Sequence, residues 1–196
     1  MAYWADSYLV LDQTSNEFVA NGSSDINKEI FDDIRNFCIE KDYKSPNAAN
    51  IHARIKAISQ SEFAVLFMTI GKISKNTGLD KIAVQCLKLY LNTRDFTILH
   101  CVTSCHALRI IFEFLDKEQQ NEAVLYYWQS VIFAYISIET PKIKPIETID
   151  LGVTSNVQKI KDVVKNNFND HDIKIAFTAI EEFVFYKDDR FLKAAL

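Results

Sequence analysis

The stretch Asp95-Phe96-Thr97-Ile98-Leu99-His100-Cys101-Val102-Thr103-Ser104-Cys105-His106-Ala107-Leu108-Arg109 lies near the middle of the 196-residue chain, and its reading decides the fold. Asp95 is placed to cap a helix, its side-chain oxygen accepting a backbone N–H that a helix start leaves unpaired. Ile98, Leu99, Val102, Leu108, Ile111 and Phe112 then recur at roughly helical spacing. The segment is expected to be a mostly apolar helix. His100, Thr103 and His106 ride on it at successive i, i+3 steps, about 60° apart around the axis. Polar groups on an apolar helix need buried partners or a site to serve.

On the residues alone, two readings of His100 and His106 stand side by side. Histidines on a buried helix are ordinarily satisfied by backbone carbonyls or a neighbouring carboxylate. Clustered titrating groups also mark metal and catalytic sites. The spacing itself is no ligand signature. A His-x5-His pair lies about 120° apart on a regular helix, so both rings meet one ion only across a wide cleft or a helix irregularity. The more specific H-E-x-x-H pattern is absent.

Helical stripes continue on both sides. Residues 2–11 read as a short helix and 12–24 as a polar loop. Ile26, Ile30, Phe31, Ile34, Phe37 and Cys38 form one stripe; Ala48, Ile51, Ile55 and Ile58 form the next, with His52 at its edge as a surface histidine. Ser59-Gln60-Ser61-Glu62 has the form of a capping box ahead of an apolar helix through Ile73. Asn76-Thr77-Gly78 supplies a stop, with Gly78 as a left-handed C-cap. Residues 79–91 are amphipathic. Beyond the polar turn Asp116-Lys117-Glu118-Gln119-Gln120 runs a long aromatic helix with Val124, Tyr127, Trp128, Val131 and Tyr135. Its aromatic face is either core or a platform for a planar ligand, and Tyr127 and Trp128 carry polar handles suited to a pocket edge.

Residues 139–152, with Pro141 and Pro145, are irregular. Thr154 or Ser155 is expected to cap a helix bearing Val157, Ile160, Val163, Val164 and Phe168. Residues 171–186 and 190–196 close the chain. No segment alternates like a strand. The expected fold is all-α: a single compact multi-helix domain over 1–196, of about seven to nine helices. The helix of His100 and His106 should be central and mostly buried.

Composition agrees and narrows the function classes. Hydrophobic residues make up 48% and charged residues 24%, which suits a globular chain rather than a disordered one. Four glycines and three prolines are too few for a turn-rich sheet fold. A net charge of −4 leaves no basic surplus for DNA or RNA, so no nucleic-acid partner is expected. No apolar run reaches the length of a membrane span, and no secretory signal is visible; the expected location is the cytoplasm. Cys38, Cys86, Cys101 and Cys105 contain no C-x-x-C pair and read as small buried side chains. Phosphate-cradling glycine loops, a G-x-S-x-G elbow and a cysteine zinc cluster are all absent.

The 95–109 segment resembles the LHxVTxxHALR region of the questin oxidase-like family. The similarity continues through Tyr127-Trp128-Gln129 and through His171-Asp172-Ile173-Lys174, an H-x-x-K element near that family's C-terminus. Asp188-Asp189-Arg190-Phe191-Leu192-Lys193-Ala194-Ala195 is similar to a family ending. Met1-Ala2-Tyr3-Trp4-Ala5 resembles an internal family segment. Members are about twice as long, so the chain is expected to correspond to their C-terminal half, with further histidines upstream.

The resemblance implies an oxidoreductase. It implies a non-haem iron (Fe2+) oxygenase opening polycyclic aromatic ketones or quinones, with NADPH as a second cofactor that has no recognisable binding motif here. Under it, His100 and His106 match the family's paired histidines and Lys174 the lysine of the H-x-x-K element. His171, one turn before Lys174, is the fallback ligand. An ammonium cannot bind a cation, but a buried, neutral lysine amine can take up carbon dioxide as a carbamate whose oxygens face iron. The plain readings are a surface or salt-bridged Lys174 and a locally bonded His171. Asp95, Thr103 and Arg109 are then groups that orient ligands or substrate. Arg109 can instead clamp a substrate carboxylate or pair with Glu113 at i+4. Two other classes stand beside the enzyme. One is a helical binding or assembly module that completes its fold with a second copy or a companion chain. The other is an inactive remnant.

Overall fold

The computed structural model describes residues 19–20, 26, 29–149 and 156–195. In chain order the elements are β1 (Val19–Ala20), α1 (Ile30–Glu40), α2 (Ile51–Ser59), α3 (Ala64–Ile70), β2 (Ile73–Ser74), α4 (Leu79–Thr93), α5 (Phe96–Ile111), α6 (Lys117–Ser137), α7 (Val157–Val164) and α8 (Asp170–Tyr186). Short 3-10 turns cover Phe112–Phe114, Ile146–Thr148 and Asp189–Ala195. The fold is all-α, as composition and periodicity predict. Strand structure among the described residues is one parallel pairing, Val19 opposite Ile73 and Ala20 opposite Ser74. The helix expected at 2–11 and most of the loop expected at 12–24 lie outside the described residues.

The chain forms two compact units, Met1–Lys81 with Leu115–Lys142, and Ile82–Phe114 with Ile143–Leu196. The first is built on α6. Asp116 caps it in a reciprocal box: its Oδ1 accepts the Gln119 N–H at 2.9 Å, and Gln119 Oε1 accepts the Asp116 N–H at 3.0 Å. That D-x-x-Q pattern reads only as a polar turn in the sequence. The aromatic face of α6 is core. Trp128 is 1% exposed and donates its indole N–H to the Gly71 carbonyl at 2.7 Å. The Tyr135 hydroxyl lies within reach of the Phe31 and Pro141 carbonyls, and the Phe31 ring packs on both Tyr135 and Trp128. Each such burial contributes roughly 1.5–3 kcal/mol.

The sequence expectations around α3 are corrected. Ser59 ends α2, and its hydroxyl donates backward to the Lys56 carbonyl at 2.8 Å; Ser61 does the same to Ile58. A serine hydroxyl bonds a carbonyl behind it as readily as an N–H ahead, so no capping box forms. The apolar helix starts only at Ala64 and stops at Ile70, where Gly71 follows with an ordinary φ of −78°. Gly71 is there for room: a Cβ would collide with Ile132. Gly78 stands just before α4 rather than closing α3.

In the second unit α8 is the common neighbour of α5, α7 and the terminal 3-10 turn. Asp95 caps α5 as predicted, accepting the N–H groups of Thr97 at 2.6 Å and Ile98 at 3.3 Å. Thr97, Ile98, Leu99, Cys101, Val102, Cys105 and His106 are buried, whereas Phe96, Ile110 and Ile111 are exposed. Helix α7 is capped by Asn156; Thr154 and Ser155 lie outside the described residues. The stripe expected on α7 is buried only at Ile160; Val163 is exposed, and Phe168 beyond it is 100% exposed. Asn169 caps α8, which closes on Lys187 at φ 56°. Arg94 holds the terminal turn through the Lys193 and Ala194 carbonyls.

All four cysteines are buried thiols. Burial pushes Cys38 up to about 11 and Cys101 well above 9.0, so neither supplies a thiolate. Among the described residues no helix is long and apolar enough to cross a membrane.

Candidate functional site

Helices α5 and α8 gather the histidines of the second unit at two separate stations. The first lies in the opening turns of both helices. The His100 and His171 rings face each other with centroids 5.7 Å apart and planes at 27°. Phe96 packs against both, at 4.6 Å and 4.8 Å. His100 Nδ1 is 3.0 Å from the Phe96 carbonyl, an atom that only accepts, so the proton is on Nδ1. His171 Nδ1 faces Asp170 Oδ1 at 3.0 Å in the same sense. In the neutral form of each ring Nε2 therefore keeps the lone pair. Burial holds His100 below its ordinary 6.5; the charges of His171 and Lys174 add to this against the bond to Phe96.

Lys174 sits on the rim of this station. Its ammonium donates to Asp170 Oδ2 at 2.7 Å, and the side chain is 60% exposed. That hydrogen bond holds the Asp170 carboxyl below its ordinary range. The plain reading of Lys174 as a salt-bridged surface lysine describes this geometry. The burial that a carbamate requires is not supplied here.

The second station lies further along α5. His106 is buried, with Nδ1 2.6 Å from Glu182 Oε1 on α8. Arg109 Nε donates to the same oxygen at 2.8 Å, and Arg109 Nη2 lies 3.2 Å from His106 Nδ1. The Phe177 and His106 ring centroids lie 5.8 Å apart with planes at 85°, and the Arg109 guanidinium lies 4.1 Å over the Phe185 ring. Glu182 is 2% exposed, and its Oε2 has no partner among the described residues.

The sequence-derived ligand set is thus divided. His100 and His171 come together, with Lys174 beside them; His106 turns to Glu182. Six residues on a helix rise about 9 Å and turn about 120°, which carries His106 away from His100. Arg109 pairs with Glu182, not with Glu113. Asp95 is engaged as a cap, and the Thr103 hydroxyl donates back to the Leu99 or His100 carbonyl. Tyr127 and Trp128 are buried in the first unit, with the Trp128 handle already bonded to Gly71.

Glu182 escaped the sequence reading. Its signal was positional: Ile175, Ala179 and Glu182 fall at i, i+4 and i+7, and an acid on an apolar stripe asks for a buried partner.

For iron, the donors fit in kind. Imidazole suits the ion, and a ligating histidine has its other ring nitrogen bonded to a carbonyl or carboxylate, as His100 and His171 do. Among the described residues no group of three or more His, Cys, Asp or Glu is placed to hold a metal ion. These two rings would be part of a coordination shell.

A family model described as questin oxidase-like matches residues 44–179, well over half of the chain. No curated protein and no solved structure matches it.

Proposed function

The chain belongs to the questin oxidase-like family, and we propose that it takes part in an oxidase-type reaction on a polycyclic aromatic or quinone-like small molecule, at the paired imidazoles of His100 and His171. The observation that carries this is the 5.7 Å facing of those rings with both Nδ1 atoms anchored. Fe2+, when bound, supplies oxygen activation. The chain's own residues do the holding. His100 and His171 present lone pairs, Phe96 shields both rings, and Asp170 orients His171 while Lys174 offsets its charge. Water, a second copy or a companion chain completes the shell. The buried thiols suit a reducing compartment, and we place the protein in the cytoplasm.

The test is oxygen uptake and bound iron. The purified chain is assayed with a hydroxyquinone, with Fe2+ and NADPH added singly and together. Iron retention and uptake in the native chain, lost in both His100→Ala and His171→Ala, are expected. Equal iron in native and variant chains overturns the assignment.

One observation favours assembly as a second reading. Phe114, Phe168, Phe177 and Phe185 of the second unit all stand exposed, apolar rings that a partner chain would cover. Gel filtration separates the readings: a strict monomer that takes up oxygen removes assembly. A chain that neither associates nor consumes oxygen is a folded remnant.

A further inference from the structure

We propose that Glu182 is the positioning residue of His106, fixing its ring with the proton on Nδ1 and presenting Nε2 as the atom that accepts a proton. The proposal stands on the second station alone and involves no ion.

The separation decides the proton's place. Nδ1 and Glu182 Oε1 are 2.6 Å apart, and two lone pairs at that distance would repel. A proton lies between them. Arg109 Nε–H donates to the same oxygen at 2.8 Å, which makes that oxygen a carboxylate partner of two donors. The shared proton therefore belongs to Nδ1. With that nitrogen donating, the 3.2 Å approach of Arg109 Nη2 is a contact imposed by the shared oxygen, because Nδ1 has no lone pair left to offer. A carboxylate on Nδ1–H sets both tautomer and ring orientation, and leaves one nitrogen for chemistry.

Two rings border this arrangement: Phe177 lies beside the imidazole, near perpendicular to it, and Phe185 underlies the Arg109 guanidinium. The His106 side chain retains 10% of its surface, while Glu182 retains 2% and acts only through its neighbours. Glu182 Oε2, buried and without a partner among the described residues, is a feature cores rarely keep without a use. Glu182 also lies beyond the matched 44–179 stretch, so the family match does not point to it.

Long-range proton–nitrogen NMR of the full chain labelled with 15N-histidine tests the assignment, with the His106 signals identified by their loss in His106→Gln. In the native chain at neutral pH, Nδ1 is expected as the protonated nitrogen, with its proton far downfield, and Nε2 as the bare one. In Glu182→Ala the ring is released and the Nε2-protonated form, which free imidazole prefers, becomes the major one. A native chain already protonated on Nε2, or a pattern unchanged in Glu182→Ala, overturns the proposal. Should Glu182→Ala fail to fold, Glu182→Asp decides. Its shorter arm stretches the bond and moves the downfield proton upfield; an unmoved proton counts against the proposal.

Discussion

The two units differ in where their largest exposed rings and their buried charges lie. In the first, Trp128, Tyr135, Phe31 and Phe67 are fully buried, and the Trp128 and Tyr135 handles are bonded to backbone carbonyls. In the second, Phe96, Phe114, Phe168, Phe177 and Phe185 stand exposed, while His106 and Glu182 are inside. A chain governed only by apolar burial would do the reverse in the second unit. In the first, the largest rings therefore make the core. The second puts its desolvation into a charged cluster and leaves rings at the surface.

This contrast is broken most strongly at Trp128. Trp128→Ala should lower stability by about 3–5 kcal/mol in urea unfolding, since it removes a large ring and a satisfied donor together. A loss under about 1 kcal/mol would mean that the first core is not assembled around that residue. Next is Arg109→Met, which leaves Glu182 buried without its cation. The expected loss is about 3 kcal/mol, little changed by salt because the pair is shielded from solvent. Near-neutral behaviour would show that the second unit does not depend on its charges.

A smaller effect belongs to His100. The groups facing it are His171, Lys174 and the Phe96 carbonyl, with Asp170 bonded to His171. Its folded value lies below 6.5, so across that interval the unfolded chain binds more protons. Stability then rises with pH through the imidazole range and falls on acidification through it. An NMR titration should place the His100 midpoint below 6.5, and His100→Gln should flatten this part of the stability profile. A midpoint above 6.5 reverses the sign and removes the prediction. Smallest of all is Phe168→Ser. Phe168 touches solvent on every side, and its loss should leave the melting transition unmoved. If gel filtration shows association, the same change should weaken it.

The helices were legible wherever the signal was local. Asp95 announced α5 through one carboxylate and the apolar residues after it, and the structure places that carboxylate on the Thr97 and Ile98 N–H groups. Ser59 misled because its hydroxyl donates as well as accepts, and the short-range pattern does not say which it will do. The divided histidines were half legible. The helical arithmetic already set His100 and His106 about 120° apart, which is what separates the two stations. What the arithmetic lacked was the partner of each. Glu182 lies 76 residues from His106, and Asp170 and His171 are similarly remote from His100. Tertiary packing alone chooses such partners. Lys174 shows the converse: its partner Asp170 is one turn away, and the ordinary i, i+4 pairing was there to be read.

The bond from Trp128 to Gly71 also has an optical consequence. The chain has two tryptophans, Trp4 and Trp128. An indole held dry, with its N–H fixed on one carbonyl, emits at shorter wavelength than one in water, and it shifts to longer wavelength once solvent enters. With Trp4 replaced by phenylalanine, Trp128 would be the sole tryptophan, excited apart from the tyrosines at the red edge of the absorption band. Its colour would then follow the α3–α6 seam of the first unit alone and leave the histidine stations dark. Any opening confined to that seam would register as a change in hue before the whole chain unfolds.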